Sequence, residues 1–232
     1  MEPEIVDLAN CLNKMGAKVE GAGTNEIKIT GVKKLKSISY GIMPDRVEAG
    51  TLLCMAAATC GNIKLLNVCS DHLVPVIHKL QEAGSNITIS KNDIIIKAPR
   101  RLKPVEIKTM PYPGFPTDLQ QVFGAMLTTA KGTSVIVENI FENRYKYMTE
   151  LKRMGAKVTI EGKTAVIKGV KKLSCASVQS PDLRGGAALV LAALTAKGKS
   201  KISHIEYILR GYEKLDEKLT KLGASIVLEE GE

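Results

Sequence analysis

Leu12-Asn-Lys-Met-Gly-Ala-Lys-Val19 returns almost verbatim as Leu151-Lys-Arg-Met-Gly-Ala-Lys-Val158, and this self-similarity decides the fold. Weaker copies stand at Leu80-Gln-Glu-Ala-Gly84 and Leu219-Thr-Lys-Leu-Gly-Ala-Ser-Ile226. The shared glycines, Gly16, Gly84, Gly155 and Gly223, lie 68, 71 and 68 residues apart. That period is too long for a solenoid repeat and suits a small α/β unit of several elements. A second phrase keeps the same register: Ile29-Thr-Gly-Val-Lys-Lys-Leu35 matches Ile167-Lys-Gly-Val-Lys-Lys-Leu173.

Hydrophobic periods divide each unit into elements. After the glycine come two alternating strands, as in Lys157-Val-Thr-Ile160 and Thr164-Ala-Val-Ile-Lys168, joined by a tight turn at Gly162. A loop then carries an acidic residue into a small apolar helix: Asp45 before 47–59, Asp118 before 119–129, Asp182 before 185–196. Gly61, Gly132 and Gly198 are expected to stop these helices. A strand follows at 63–67, 134–138 and 201–204. A helix then returns to the next glycine, with the spacing Tyr212, Leu215, Leu219, Leu222 in the last unit. The order strand, strand, helix, strand, helix becomes a βαβαββ unit when counted from another strand. Residues 1–15 form only a returning helix, so the chain is expected to be the back part of something longer.

With 232 residues, 44% hydrophobic and 25% charged, the chain can bury a sizeable core. Its net charge of +9 favours anionic partners without choosing among them. Aromatic residues make up only 4%, which weakens stacking recognition of nucleic acid. Five scattered cysteines without a CxxC pair fit a reducing, cytoplasmic setting. The acidic start and short apolar runs support neither a signal peptide nor a membrane span. Walker-type, GxGxxG and GxSxG motifs are absent, so no nucleotide cofactor of those folds is expected. His72 and His78 lack a third ligand, so no metal site is expected; Cys54 and Cys60 read as core.

Four loops carry residues suited to chemistry. Asp118 sits in Pro116-Thr-Asp-Leu-Gln120. Thr117 with Gln120 fits a capping box, and a first-turn carboxylate complements the helix dipole. Alternatively, a carboxylate on a loop stiffened by Pro111, Pro113 and Pro116 can serve as general base for a substrate hydroxyl. Asp182-Leu-Arg184 precedes Gly185-Gly186, where a backbone can approach a ligand; a local Asp/Arg surface pair is the plainer reading. Asp45-Arg46 holds the equivalent place one repeat earlier and reads as a structural habit of the fold. Arg144 and Arg210 occupy corresponding loops before returning helices, either as solvated charges or as two forks converging on one anion.

Together, Pro3-Glu-Ile-Val-Asp7, Leu12 to Ala17, Pro44-Asp-Arg46, Phe115-Pro-Thr-Asp118, Phe141-Glu-Asn-Arg144, Asp182-Leu-Arg184 and Arg210-Gly-Tyr-Glu213 resemble the UDP-N-acetylglucosamine 1-carboxyvinyltransferases of peptidoglycan synthesis. The resemblance spans the whole chain but only the C-terminal half or so of the family's sequence. It implies an α/β (α+β) fold of βαβαββ units around a pseudo-threefold axis, an incomplete inside-out α/β barrel. Residues 1–44 would be a remnant of the family's catalytic-loop domain, and residues 45–232 most of the other domain. The implied reaction joins the 3′-hydroxyl of UDP-N-acetylglucosamine to phosphoenolpyruvate and then eliminates phosphate, without cofactor or metal. Asp118 would be the base or hydroxyl-orienting carboxylate, and the backbone of Ile140 would contact the sugar nucleotide. Arg144 and Arg210 would serve anionic groups, with Asp182 and Arg184 lining the same cleft. The family's proton-donating cysteine, Lys-Asn pair and uridine-binding segment precede the matched region, so the chain alone is expected to be inactive. The missing N-terminal portion would be its partner, and an open sheet edge offers a route to homodimerisation. A non-catalytic anion-binding or assembly module of the same fold is the second reading.

Overall fold

In the computed structural model, which describes residues 1–229, the chain opens on α1 (Pro3–Lys14). Pro3 presets the first helical turn, where no amide donor is needed. The hairpin β1 (Lys18–Glu20) and β2 (Lys28–Thr30) pairs only with itself. After an extended stretch, related units follow. The first holds α2 (Arg46–Ala58), β3 (Asn62–Leu65), α3 (Val74–Glu82), β4 (Asn86–Ser90) and β5 (Asp93–Lys97). The second holds β6 (Glu106–Lys108), α4 (Thr117–Leu127), β7 (Thr133–Val137), α5 (Lys146–Arg153), β8 (Lys157–Glu161) and β9 (Thr164–Lys168). The third holds β10 (Ser177–Gln179), α6 (Leu183–Thr195), β11 (Lys201–Ser203), α7 (Glu206–Leu209) and α8 (Leu215–Lys221).

The middle unit is a full βαβαββ in sheet order β6-β7-β9-β8, with β6 parallel to β7 and the remaining pairs antiparallel. Its sixth element, β6, is absent from the strand, strand, helix, strand, helix reading, as is β10. Each has three residues and one buried side chain, Ile107 or Val178, which is too little for a period-2 signal. The other sheets are β3-β5-β4 and the parallel pair β10-β11. Among the described residues no sheet closes into a barrel, in keeping with the incomplete inside-out arrangement expected.

The centre is instead made by α2, α4 and α6, which pack pairwise against one another. Each is apolar on nearly every side, and Leu53, Cys54, Leu119, Val122, Leu189 and Leu191 are fully buried. The sheets cover this trio with one face. Ile107, Ile136, Ala165 and Ile167 turn inward, while Val166 faces out. Cys60 is exposed rather than core, because it lies past the end of α2 and adopts the left-handed turn (φ 57°) assigned from sequence to Gly61.

Close approach explains the small residues. A Cβ on Gly124 would collide with the hydroxyl of the fully buried Tyr147 on α5, and one on Gly50 with the side chain of Leu119. Tyr147 has no room to retreat, so Gly124→Ala is expected to destabilise the chain by about 1–3 kcal/mol in urea unfolding.

Candidate functional site

The three central helices begin at the same end of the molecule. Asp45, Arg46, Thr117, Asp118 and Arg184, all at or near those starts, line one cavity of about 790 Å³. Ile140, Phe141, Met110 and Pro111 supply an apolar side, and Tyr40, Leu8 and Asp7 close it from the N-terminal segment. The opposite helix ends line a smaller depression of about 320 Å³ with Arg100, Arg101, Lys171 and Lys172. Arg101 there donates to the carbonyls of Thr129, Ala130 and Val170. Cations at helix C-termini complement the dipoles, which accounts for that cluster.

The acids at the three helix starts have diverged. Asp45 caps α2, accepting from the Val47 and Glu48 amides at 2.7 and 3.0 Å. Asp182 caps α6, accepting from the Gly185 amide at 2.8 Å. Asp118 caps nothing: α4 starts two residues earlier than foreseen, with Pro116 as its N-cap and no side-chain cap bond. The expected capping box is therefore not formed. Gln120 is fully buried with no hydrogen-bond partner, and Thr117 gives its hydroxyl to Glu138 at 3.0 Å.

Released from capping, Asp118 holds two arginines. Arg144 reaches its Oδ1 at 2.6 Å, and Arg184 reaches its Oδ2 at 3.0 Å. The carboxylate is 40% exposed, whereas the two arginines are 18% and 17% exposed. Both guanidiniums also lie over aromatic rings, Arg144 over Phe141 at 4.9 Å and Arg184 over Tyr212 at 5.5 Å. Burial by itself would lower the Arg184 guanidinium, but the Tyr212 phenol and the Asp118 carboxylate hold it above its ordinary value. Burial pushes the Tyr212 phenol up, with Arg184 and the Thr51 hydroxyl opposing.

Of the residues singled out from sequence, Asp118, Ile140 and Arg184 line the cavity, and Arg144 joins them through Asp118. Asp182 sits beside them as a cap, tied to Gln121 at 3.4 Å, and the local Asp182–Arg184 pair does not form because Arg184 turns to Asp118. Arg210 is not among the residues that line this cavity. It is exposed at the end of the short α7. Tyr212, two residues on, is the member of that loop that meets the cluster. Residues missed from sequence are Tyr212, Thr117 and Glu138, and the acids Glu2 and Glu4. Their side chains are recruited by contacts across 21 to 161 residues, which no local spacing reports. No group of three or more metal-ligating side chains occurs among the described residues.

Arg46 fastens the N-terminal helix to this wall. It is buried and bonds to Glu4 at 2.7 Å and to Glu2, whose other oxygen accepts the Tyr112 amide at 2.9 Å. The lining acids Glu2, Glu4, Asp7, Asp45 and Asp118 outnumber the lining cations Arg46 and Arg184.

Comparison with known proteins agrees with this geometry. The chain matches the EPSP synthase (3-phosphoshikimate 1-carboxyvinyltransferase) family over residues 1–219. It is 55% identical to UDP-N-acetylglucosamine 1-carboxyvinyltransferase 1 of Caldanaerobacter subterraneus, covering 97% of this chain and 54% of that protein. It is 53% identical to the UDP-N-acetylglucosamine 1-carboxyvinyltransferase of Desulfofundulus thermocisternus, covering 95% of this chain and 91% of that one. The enolpyruvyl transferase NikO from Streptomyces tendae superposes with a TM-score of 0.85 at 25% identity, covering 97% of this chain and 54% of NikO. EPSP synthase from Acinetobacter baumannii shares the fold, with a TM-score of 0.72 at 21% identity over 94% of this chain and 54% of that one. These matches define an enolpyruvyl transferase fold. The chain belongs to the EPSP synthase family and, within it, to the UDP-N-acetylglucosamine 1-carboxyvinyltransferases. It spans about half the length of the Caldanaerobacter relative. No helix among the described residues is long and apolar enough to cross a membrane.

The Arg46 clamp has a pH signature. Burial would raise the Glu4 carboxyl, but its bond to Arg46 holds it below the ordinary carboxylate value. A depressed carboxyl stabilises the fold fully above its unfolded value and loses that contribution as pH falls through the folded one. Between about pH 6 and 3, Arg46→Met is expected to lose less melting temperature than the wild-type chain. An equal loss in both would contradict the clamp.

Proposed function

We propose that this chain supplies one wall of an enolpyruvyl transfer site acting on UDP-N-acetylglucosamine and phosphoenolpyruvate, and that it is inactive without the portion its longer relatives carry. The observation that carries this reading is Asp118, set between Arg144 and Arg184 on the cavity wall beside Ile140. In the reaction, the sugar 3′-hydroxyl adds to C2 of phosphoenolpyruvate while C3 takes a proton, and the adduct then loses a C3 proton and phosphate to restore the double bond. The hydroxyl proton needs an acceptor, which is the role of Asp118. Each of its oxygens is occupied by a guanidinium. An arriving phosphate or carboxylate that draws Arg144 or Arg184 away exposes a carboxylate oxygen to the hydroxyl, and the displaced guanidinium neutralises the anion's charge. Ile140 lines the same cavity and is suited to contact the sugar nucleotide. Arg210, exposed at the end of α7, is available to an anion only from outside the present wall.

The excess of acids over cations in the lining explains why this wall does not suffice. Both substrates are anions, so further cations, and the acid that protonates C3, must come from elsewhere. In this reading residues 1–44 belong to the family's catalytic-loop domain and residues 45–232 to the other, and the reaction runs in the cytoplasm. Exposed Ile27, Ile29, Val32, Leu35, Ile38 and Ile42 mark the face that the absent portion covers; in its absence the same face favours self-association of the chain.

Phosphate release from the two substrates tests the proposal. The purified chain is expected to give none, and adding the N-terminal portion of the Caldanaerobacter relative is expected to restore it. Asp118→Asn should cut the restored rate by about 10²- to 10⁴-fold. Release by the chain alone would overturn the half-site reading, and failure to restore would favour the non-catalytic module.

A further inference from the structure

We infer that Glu138 is a positioning residue for this site, the carboxylate that sets the distance between Asp118 and Arg144. The inference rests on the reading of those two residues given above. Glu138 follows the last residue of β7 and is 1% exposed. Burying an ionised carboxylate is expensive unless hydrogen bonds replace its water, and four neutral donors do so. Oε1 accepts from the Thr109 hydroxyl at 2.8 Å, the Ile140 amide at 2.9 Å and the Phe141 amide at 3.2 Å. Oε2 accepts from the Thr117 hydroxyl at 3.0 Å.

The division between the two oxygens is what matters. One oxygen gathers the end of β6 and the start of the loop; the other holds the first turn of α4. Thr117 precedes Asp118, and Phe141 carries the ring under the Arg144 guanidinium. A single planar group therefore links both partners of the 2.6 Å Asp118–Arg144 pair. The far end of the loop is pinned separately by the Tyr145 hydroxyl, which donates to the carbonyls of Ile136 and Lys163 at 3.0 and 2.8 Å. The Glu138 anchor is bonded directly to α4's first turn through Thr117. An apolar residue at 138 would end the strand equally well but would leave the Asp118–Arg144 pair without this support from behind.

The chemistry predicts which substitutions matter. Glutamine can reproduce the arrangement: its oxygen serves the three Oε1 donors, and its amide donates to Thr117, whose hydroxyl turns to accept. Leucine at the same position can accept nothing. Thr117→Val removes only the arm to α4.

Two readouts on Glu138→Gln, Glu138→Leu and Thr117→Val test this. In the chain itself, hydrogen exchange at the Ile140 and Phe141 amides is expected to quicken at least about tenfold in Glu138→Leu. It should stay slow in Glu138→Gln, and α6 amides should stay protected throughout. In the reassembled two-part enzyme, Glu138→Leu and Thr117→Val are expected to lower kcat by about 10²-fold with little change in KM, while Glu138→Gln stays close to wild type. Unchanged loop exchange in Glu138→Leu, or Glu138→Gln as impaired as Glu138→Leu, would overturn the inference. If Glu138→Leu does not fold, Thr117→Val decides: a normal kcat there overturns it. An inactive wild-type assembly would refute the transferase reading, while loop exchange would still decide whether Glu138 holds these elements.

Discussion

Close packing of three apolar helices, all starting at one end of the molecule, is the constraint on which the rest depends. The residues that let them approach are small, and the collision of a Cβ on Gly50 of α2 with Leu119 of α4 shows how little space remains. Shared direction has an electrostatic consequence, because the positive ends of α2, α4 and α6 meet at one cavity and the negative ends at another. Carboxylates gather at the first and arginines and lysines at the second. The site is thus a by-product of how the core is built.

What distinguishes a functional acid from a structural one is visible as a break in that symmetry. Asp45 and Asp182 spend their carboxylates on backbone amides, the ordinary task of an acid at a helix start. Asp118 is one turn-position further in, its helix is entered through Pro116, and its oxygens turn outward to two guanidiniums. The same repeat that provides a cap in two units provides in the third a carboxylate paired with two arginines, the group we propose as the base.

Much of this was legible from residues alone. The recurring glycine phrase gave the unit and its length, and the strands 157–161 and 164–168 follow their alternation. The acid before each central helix led directly to Asp118. Three-residue strands such as Glu106–Lys108 carry one buried residue and no period, so they escaped. Arg210 was drawn in by its repeat-related place, but position in a repeat does not fix where a long side chain ends, and Tyr212 is the residue of that loop that reaches the cluster. In the sequence Glu138 is only the last residue of an apolar strand. Its burial arises from partners on β6, α4 and the following loop, which only the folded chain assembles.

Charge then links the fold to the second wall proposed for the site. Every lining carboxylate has a use within the chain: Glu2 and Glu4 on Arg46, Asp7 on Tyr40, Asp45 on α2, Asp118 on its arginines. None is spare to coordinate a cation, and neither arginine paired with Asp118 is free to greet an anion. Calorimetric titration of UDP-N-acetylglucosamine and phosphoenolpyruvate tests this most directly, comparing the chain alone with its mixture with a relative's N-terminal portion. Saturable binding confined to the mixture is the predicted result. Binding of equal strength by the chain alone would contradict it.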